Sequence, residues 1–270
     1  MFDKKTKIDP GITQPIARLQ WIMETLRAKD GGCPWDLKQN HFTLKPYLME
    51  EACEVIDAID DEDDNELCKE LGDLLLQIVF HAQIASERNA FTLDDTARTI
   101  GDKLVLRHPH VFGDTKVSSA KEVLENWEAI KLEKENKKNV LSGVPKSLSA
   151  LLTAYRIQEK VSSVGFDWET PEETIPKVYE EVNEFIEAVK AGNFEHGEEE
   201  FGDLLFSLVN LARHSGINCE FALKKSNDKF INRFTQMEEL IKKDGNEVHK
   251  LGLKKLDKYW DKVKTTETSD

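Results

Sequence analysis

Apolar residues recur along this chain at intervals of three and four, the spacing of a helix that buries one face. Ile16, Leu19, Ile22, Met23 and Leu26 open the pattern, and Asp30-Gly31-Gly32 ends it. Gly and Pro make Gly32-Cys33-Pro34-Trp35-Asp36 a loop, where Trp35 serves equally well as a core plug or as a plate for a base. A helix is expected from about Thr43 to Ile59, with Pro46 tolerated in its first turn. Asp60 to Asp64 reads as a solvated acidic turn. The next helix, about Glu66 to Arg88, places Leu71, Leu74, Leu75 and Ile78 on its buried side. Thr92 is expected to cap a helix reaching Leu106, which Arg107-His108-Pro109-His110-Val111-Phe112-Gly113 breaks. The proline between the two histidines favours a turn or packing motif over a metal site. Ser119 to Lys138 reads as a further helix, carrying Trp127.

The second half repeats the scheme. A helix from about Ser147 to Val164 ends at Gly165-Phe166-Asp167-Trp168. Thr170-Pro171-Glu172-Glu173 combines an N-cap, a first-position proline and an N3 glutamate. The helix they start stops at Lys190-Ala191-Gly192-Asn193. Helices follow over about Glu195 to His214, Cys219 to Lys243 and Lys254 to Lys264. No segment sustains a period-two alternation, so the expected class is all-α: two tandem helical bundles with antiparallel neighbours. The expected divisions are 1–14, a flexible N-terminus; 15–138, the first repeat; 139–146, a linker containing Gly143 and Pro145; 147–264, the second repeat; and 265–270, a flexible tail.

The repeat is most visible in its acids. Glu181 and Glu184 are followed by Glu200 and Asp203, and a shift of 130 positions maps these onto Glu51, Glu54, Glu70 and Asp73 without a gap. Residues three apart share a helix face, so two antiparallel helices can aim four carboxylates at one point. One like-charge pair at 4 Å costs about 4 kcal/mol at an effective dielectric of 20. A duplicated cluster therefore implies a counter-ion, and an all-oxygen set suits Mg²⁺ or Mn²⁺. Mg²⁺ held in this way keeps positions for substrate phosphates. His81, two turns beyond Asp73, reads as a packed or surface residue, since the second copy has Leu211 there.

Composition narrows the field. The formal net charge is −14, with 39% apolar and 33% charged residues, which disfavours a nucleic-acid groove or an anionic membrane surface as partner. No run approaches the ~20 apolar residues of a membrane span. Cys33, Cys53, Cys68 and Cys219 form no CxxC pair and read as buried, reduced thiols of a cytosolic protein. Ferritin-like di-iron sites need Glu-x-x-His pairs, and the second member here is always Glu or Asp. Walker A, GxGxxG and nucleophile-elbow motifs are absent. The alternative to an enzyme is a non-catalytic acidic helical interaction protein, for which duplicated spacing is unneeded.

The Glu-Glu-x-x-Glu and Glu-x-x-Asp pairs resemble the signature of the all-α nucleoside triphosphate pyrophosphohydrolases. With Gly32-Cys33-Pro34-Trp35-Asp36, Arg107-His108-Pro109-His110-Val111-Phe112, Val164-Gly165-Phe166-Asp167-Trp168, Tyr179-Glu180-Glu181 and Gly202-Asp203-Leu204-Leu205, the chain is similar to the MazG family from about residue 15 to 264. That resemblance implies hydrolysis of NTPs, and of dNTPs, between the α- and β-phosphates to monophosphate and pyrophosphate. It implies Mg²⁺, tolerance of many bases, a role in house-cleaning or regulation of the nucleotide pool, and a homodimer with its main activity in the second repeat. Carried over by position, Glu181, Glu184, Glu200 and Asp203 are the catalytic metal ligands, and Glu51, Glu54, Glu70 and Asp73 a second metal set. Lys177, Val178, Tyr179, Glu180, Glu181, His196, Gly197, Glu198, Glu199, Asp203, Lys229, Arg233 and Trp260 would contact nucleotide. Lys229 and Arg233 would take phosphates and Trp260 would face the base. The first repeat has Thr99 and Lys103 where the second has Lys229 and Arg233, which also points to unequal repeats.

Overall fold

A computed structural model describes residues 12–119 and 139–267, with Glu122, Val123, Trp127 and Ile130 between them. The helix expected over Ser119 to Lys138 falls largely outside the described residues. By its contacts the chain divides into two units, Met1–Lys116 and Val117–Asp270. The segment 139–146, expected as a linker, is built of bends and turns and belongs to the second unit. The described residues contain helices and turns and no strand. The chain is an all-α protein of two tandem repeats.

The first unit comprises α1 (Pro15–Leu26), α2 (Pro34–Lys38), α3 (Lys45–Asp60), α4 (Asp64–Ser86), α5 (Leu93–Arg107) and α6 (Pro109–Phe112). The stretch around Trp35, expected as loop, is instead the short α2, because Pro34 sits at the first helical position where its missing N–H costs nothing. Helix α4 is the axis against which α1, α3 and α5 pack, around Met23, Leu44, Val79, Phe80 and Ile84. Arg27, at the end of α1, ties the unit together. It donates to both carboxylate oxygens of Glu87 at 2.7 and 2.8 Å and to the Asp36 carbonyl, and lies 5.4 Å from the Phe80 ring centre. Hydrogen bonds from Arg27 hold the Glu87 carboxyl below its usual range. Thr92 caps α5 as expected, in a reciprocal capping box with Asp95.

Two residues expected to be buried on α4 are not: Leu71 is 49% and Ile78 42% exposed. The helix turns Gln77, Val79 and Phe80 inward, so part of its apolar surface lies on a face that no described residue of the unit covers. Cys53 and Cys68, expected to be buried, are exposed, and Cys33 and Cys219 are half-buried.

The second unit comprises α7 (Ala150–Ser162), α8 (Pro171–Lys190), α9 (Phe194–His214), α10 (Cys219–Lys243), a 3₁₀ turn (Val248–Lys250) and α11 (Leu253–Glu267). Helices α8 and α9 form the main pair, α7 packs on α9, and α10 packs on α7 and α11. Met237, Ile241 and Val263 form a second cluster, with Phe234, Tyr259 and Trp260 against it. Thr170 is the N-cap of α8 but makes no side-chain capping bond. The expected capping box does not form, because the Glu173 carboxylate accepts the Glu169 N–H at 3.0 Å instead.

The turn joining each central helix pair is itself duplicated. Glu62 (φ 55°) and Gly192 (φ 70°), at matching positions, both adopt the left-handed conformation. Asp63 and Asn193 follow and cap the next helix through their side chains. So short a connector makes each pair antiparallel, which brings the two acidic halves of each repeat face to face.

Candidate active site

Glu181 on α8 and Glu200 and Asp203 on α9 offer oxygens that all lie within 4.8 Å of one another, as do those of Glu180, Glu181 and Glu184. Glu181 is the vertex shared by both sets and is 4% exposed. Lys177, one turn back on α8, supplies its counter-charge: Nζ is 2.7 Å from Glu181 Oε1 and 2.8 Å from Glu180 Oε1. Those two hydrogen bonds hold the Lys177 ammonium well above its usual range. Burial raises the proton affinity of Glu200, and the charges of Glu184, Glu181 and Asp203 raise it further, against an opposing effect of His196. His196 Nδ1 is 3.3 Å from Glu200 Oε1.

The first repeat gathers three of its four expected acids, Asp73 not among them, and has no counterpart of Lys177. Oxygens of Glu51, Glu54 and Glu70 lie within 4.8 Å of one another. Burial raises the Glu51 carboxyl, and Asp73 and Glu54 raise it further, while a hydrogen bond from Gln77 works against them. Glu70 is raised by the same causes, burial first and then Glu54 and Asp73. Tyr47 stands where the second repeat has Lys177, and Phe80 where it has Asn210. Trp35 meets both edge-on, with ring centres 5.9 Å from Tyr47 and 6.4 Å from Phe80. Trp35 remains 48% exposed, so it is not a core plug, although it rests against these two rings.

In the second repeat a cleft of about 320 Å³ opens beside the acids. Trp168, Thr174, Lys177, Glu181, Asp203, Phe206, Ser207 and Asn210 line it. Three of these were expected at a nucleotide site: Lys177, Glu181 and Asp203. Gly197 and Glu198 line a separate apolar hollow with Phe185, Val189 and Phe201. Tyr179 is exposed and Val178 half-buried. Lys229 lies exposed on α10, Arg233 is half-buried, and Trp260 packs with its ring centre 5.1 Å from that of Phe230. None of these three is among the residues lining the cleft. Sequence reasoning missed Thr174, Phe206, Ser207 and Asn210 as lining residues and gave Trp168 no site role. The signal was present: Thr174 precedes Lys177 by three, and Ser207 and Asn210 follow Asp203 by four and seven, so each shares a face with an acid-site residue.

Two copies of one antiparallel helix pair, each converging carboxylates, define a tandem all-α protein of the acidic-helix-pair class. A family model described as the MazG nucleotide pyrophosphohydrolase domain matches residues 39–112 and 169–237. A Thermotoga maritima protein named nucleoside triphosphate pyrophosphohydrolase/pyrophosphatase MazG is 51% identical over 245 residues, 90% of this chain and 93% of that relative. A nucleoside triphosphate pyrophosphohydrolase of Escherichia coli K12 is 44% identical over 257 residues, 93% and 98% of the two chains. YabN of Bacillus subtilis, described as uncharacterized, is 46% identical over 249 residues, 91% of this chain and 51% of that relative. The chain belongs to the MazG family.

Proposed function

We propose that this protein hydrolyses nucleoside triphosphates, dNTPs included, between the α- and β-phosphates, releasing monophosphate and pyrophosphate, and does so in its second repeat. The observation that carries the reading is the convergence of Glu181, Glu200 and Asp203 oxygens within 4.8 Å at a cleft that also holds Lys177. An all-oxygen donor set fits a hard divalent cation, and Glu181, Glu184, Glu200 and Asp203 would hold Mg²⁺ or Mn²⁺. When bound, the ion supplies Lewis-acid stabilisation of charge developing on the phosphoryl oxygens.

The chain's own residues do the rest. Lys177 offers an ammonium to the anionic substrate and orients the Glu181 carboxylate through their ion pair. A cluster carboxylate accepts the proton of the attacking water as its oxygen bonds to the α-phosphorus. The bond from the α-phosphorus to the bridging oxygen breaks, and pyrophosphate leaves. Lys229 and Arg233 keep the phosphate role, and Trp260 the base role, that the resemblance gives them.

The biological role proposed is house-cleaning or regulation of the nucleotide pool in the cytoplasm. The protein acts as a homodimer, for which the uncovered apolar residues of α8 and α9, Ile186, Val189, Phe201, Leu205 and Leu208, supply a surface. No described helix is long and apolar enough to cross a membrane. Hydrolysis in ¹⁸O-water tests the reaction: the label should enter the monophosphate, with pyrophosphate as co-product. Orthophosphate and a nucleoside diphosphate as first products would overturn it.

A further inference from the structure

The two repeats differ in what balances their acids. In the second, an alkylammonium, Lys177 Nζ, stands 2.7 Å from Glu181 Oε1. Glu51 holds the matching position in the first repeat, but Tyr47 replaces the lysine one turn before it. The carboxylate is kept and its built-in ammonium is not. The charges that act most on Glu51 are negative, those of Asp73, Glu54 and Glu70. Lys69 is among the charges acting on Glu70, but its ammonium bonds to Glu66 Oε1 at 2.5 Å.

Gln77 adds an independent sign of a ligand. It follows Asp73 by one turn on α4 and is 6% exposed. Its amide donates to Glu51, so Nε2 faces the carboxylate and Oε1 lies beside it. That Oε1 is buried and accepts no hydrogen bond. A buried acceptor left unmet is costly, and native structures rarely keep one. Carboxylates and a free carbonyl present acceptors alone, so the complementary ligand is a positively charged donor.

Two features select an ammonium over a bare divalent ion. An ammonium carries three N–H donors, and acceptors about 2.8 Å from its nitrogen stand about 4.6 Å apart. The oxygens of Glu51, Glu54 and Glu70 lie within 4.8 Å of one another, and Asp73 adds no fourth. The flank of the site is aromatic as well. Tyr47 and Trp35 are 38% and 48% exposed, with ring centres 5.9 Å apart. Such rings attract organic cations, whereas Mg²⁺ seeks oxygen ligands and water.

We infer that the acid set of the first repeat binds an alkylammonium ligand of the diamine or polyamine class. One ammonium stands as Lys177 Nζ stands in the second repeat, donating to Glu51, to Gln77 Oε1 and to Glu54 or Glu70. The methylene chain lies against Tyr47, and a second ammonium offsets the remaining acid charge. The site is independent of the nucleotide reading above, which rests on the second repeat.

Calorimetric titration of the full chain with 1,4-diaminobutane, in metal-free buffer at fixed ionic strength, tests it. The parent should bind the diamine, and Glu51→Gln should abolish that binding. Gln77→Leu, which cannot accept, should weaken it about tenfold, the scale of one hydrogen bond to a charged group. Tyr47→Lys returns an ammonium to the chain, so it should lose the diamine and melt higher than the amine-free parent. Circular dichroism establishes that each variant folds. Tetramethylammonium has the charge and no N–H donor, so it should bind more weakly than the diamine. No heat from the diamine, a heat unmoved by Glu51→Gln, or equal binding of tetramethylammonium overturns the site. Mg²⁺ binding that Glu51→Gln removes, in a parent that ignores the diamine, gives these acids to a metal and likewise overturns it.

Discussion

Lys177 Nζ lies 2.7 Å from the buried carboxylate of Glu181, and the matching pair in the first repeat is Tyr47 and Glu51. This substitution is one of the differences between two acid sites built from matching positions. A neutral phenol can neither offset the charge of Glu51 nor attract a polyphosphate, and it packs under Trp35 instead. This asymmetry lies inside the cleft, closer to the chemistry than the difference between Lys229 and Thr99.

The repeats should therefore contribute unequally to activity. Glu184→Ala should abolish most NTP hydrolysis, and Glu54→Ala should leave the larger part. Lys177→Met should lower kcat/KM by roughly tenfold or more, the loss of a charge-assisted bond, while Tyr47→Phe changes little. Pyrophosphate release in Mg²⁺, with circular dichroism to establish folding, checks all four; equal losses from Glu184→Ala and Glu54→Ala would place activity in both repeats.

Divalent cations should stabilise the protein, and chelation should expose a pH-dependent cost. Burial and then neighbouring carboxylates raise the folded-state proton affinity of Glu51 and Glu70. A carboxyl raised on folding binds more protons folded than unfolded, so stability drops as pH climbs from the unfolded value, about 4.3 for Glu, through the raised one. In chelator at pH 7, Glu51→Gln should melt higher than the parent. Adding Mg²⁺ or Mn²⁺ should raise the parent's melting temperature more than the variant's.

The Arg27–Glu87 pair has the opposite sign. Its carboxyl is depressed on folding, so its contribution is complete above the unfolded value of about 4.3 and is lost as pH falls through the folded value. Denaturant titrations at pH 7 and pH 3 should show Glu87→Gln less stable than the parent at the higher pH and nearly level with it at the lower.

The left-handed turn at Glu62 (φ 55°) should be improvable. A non-glycine residue there carries strain of about 1–2 kcal/mol, which outweighs glycine's extra unfolded-state entropy of about 0.5–1 kcal/mol. Glu62→Gly should stabilise the first unit by up to about 1 kcal/mol in urea titration. A destabilised variant would mean that the Glu62 side chain contributes contacts exceeding the strain.

Association should depend on the open face of α9. Leu208→Glu places a charge among exposed Phe201, Leu205 and Leu208 and should convert a dimer to single chains by light scattering, with helix content retained. A parent protein already of one-chain mass would refute the dimer.

Much of this was legible in the sequence because local rules govern it. Helical periodicity found the long described helices, Thr92 announced its cap, and Glu51, Glu54 and Glu70 converge because i,i+3 spacing on a helix fixes a shared face. Where a local signal had competing partners, it failed: Glu173 had two backbone N–H groups in reach and took that of Glu169, and α4 carries more apolar residues than the described residues of its unit cover, leaving Leu71 and Ile78 outside. Tertiary structure alone decided what surrounds the acids. What a tryptophan near them meets depends on residues from other segments: Tyr47 and Phe80 for Trp35, and Thr174, Phe206 and Asn210, which line the same cleft, for Trp168. The chain determined its helices and its acids from within each segment; the cleft exists only where segments that share no local rule come together.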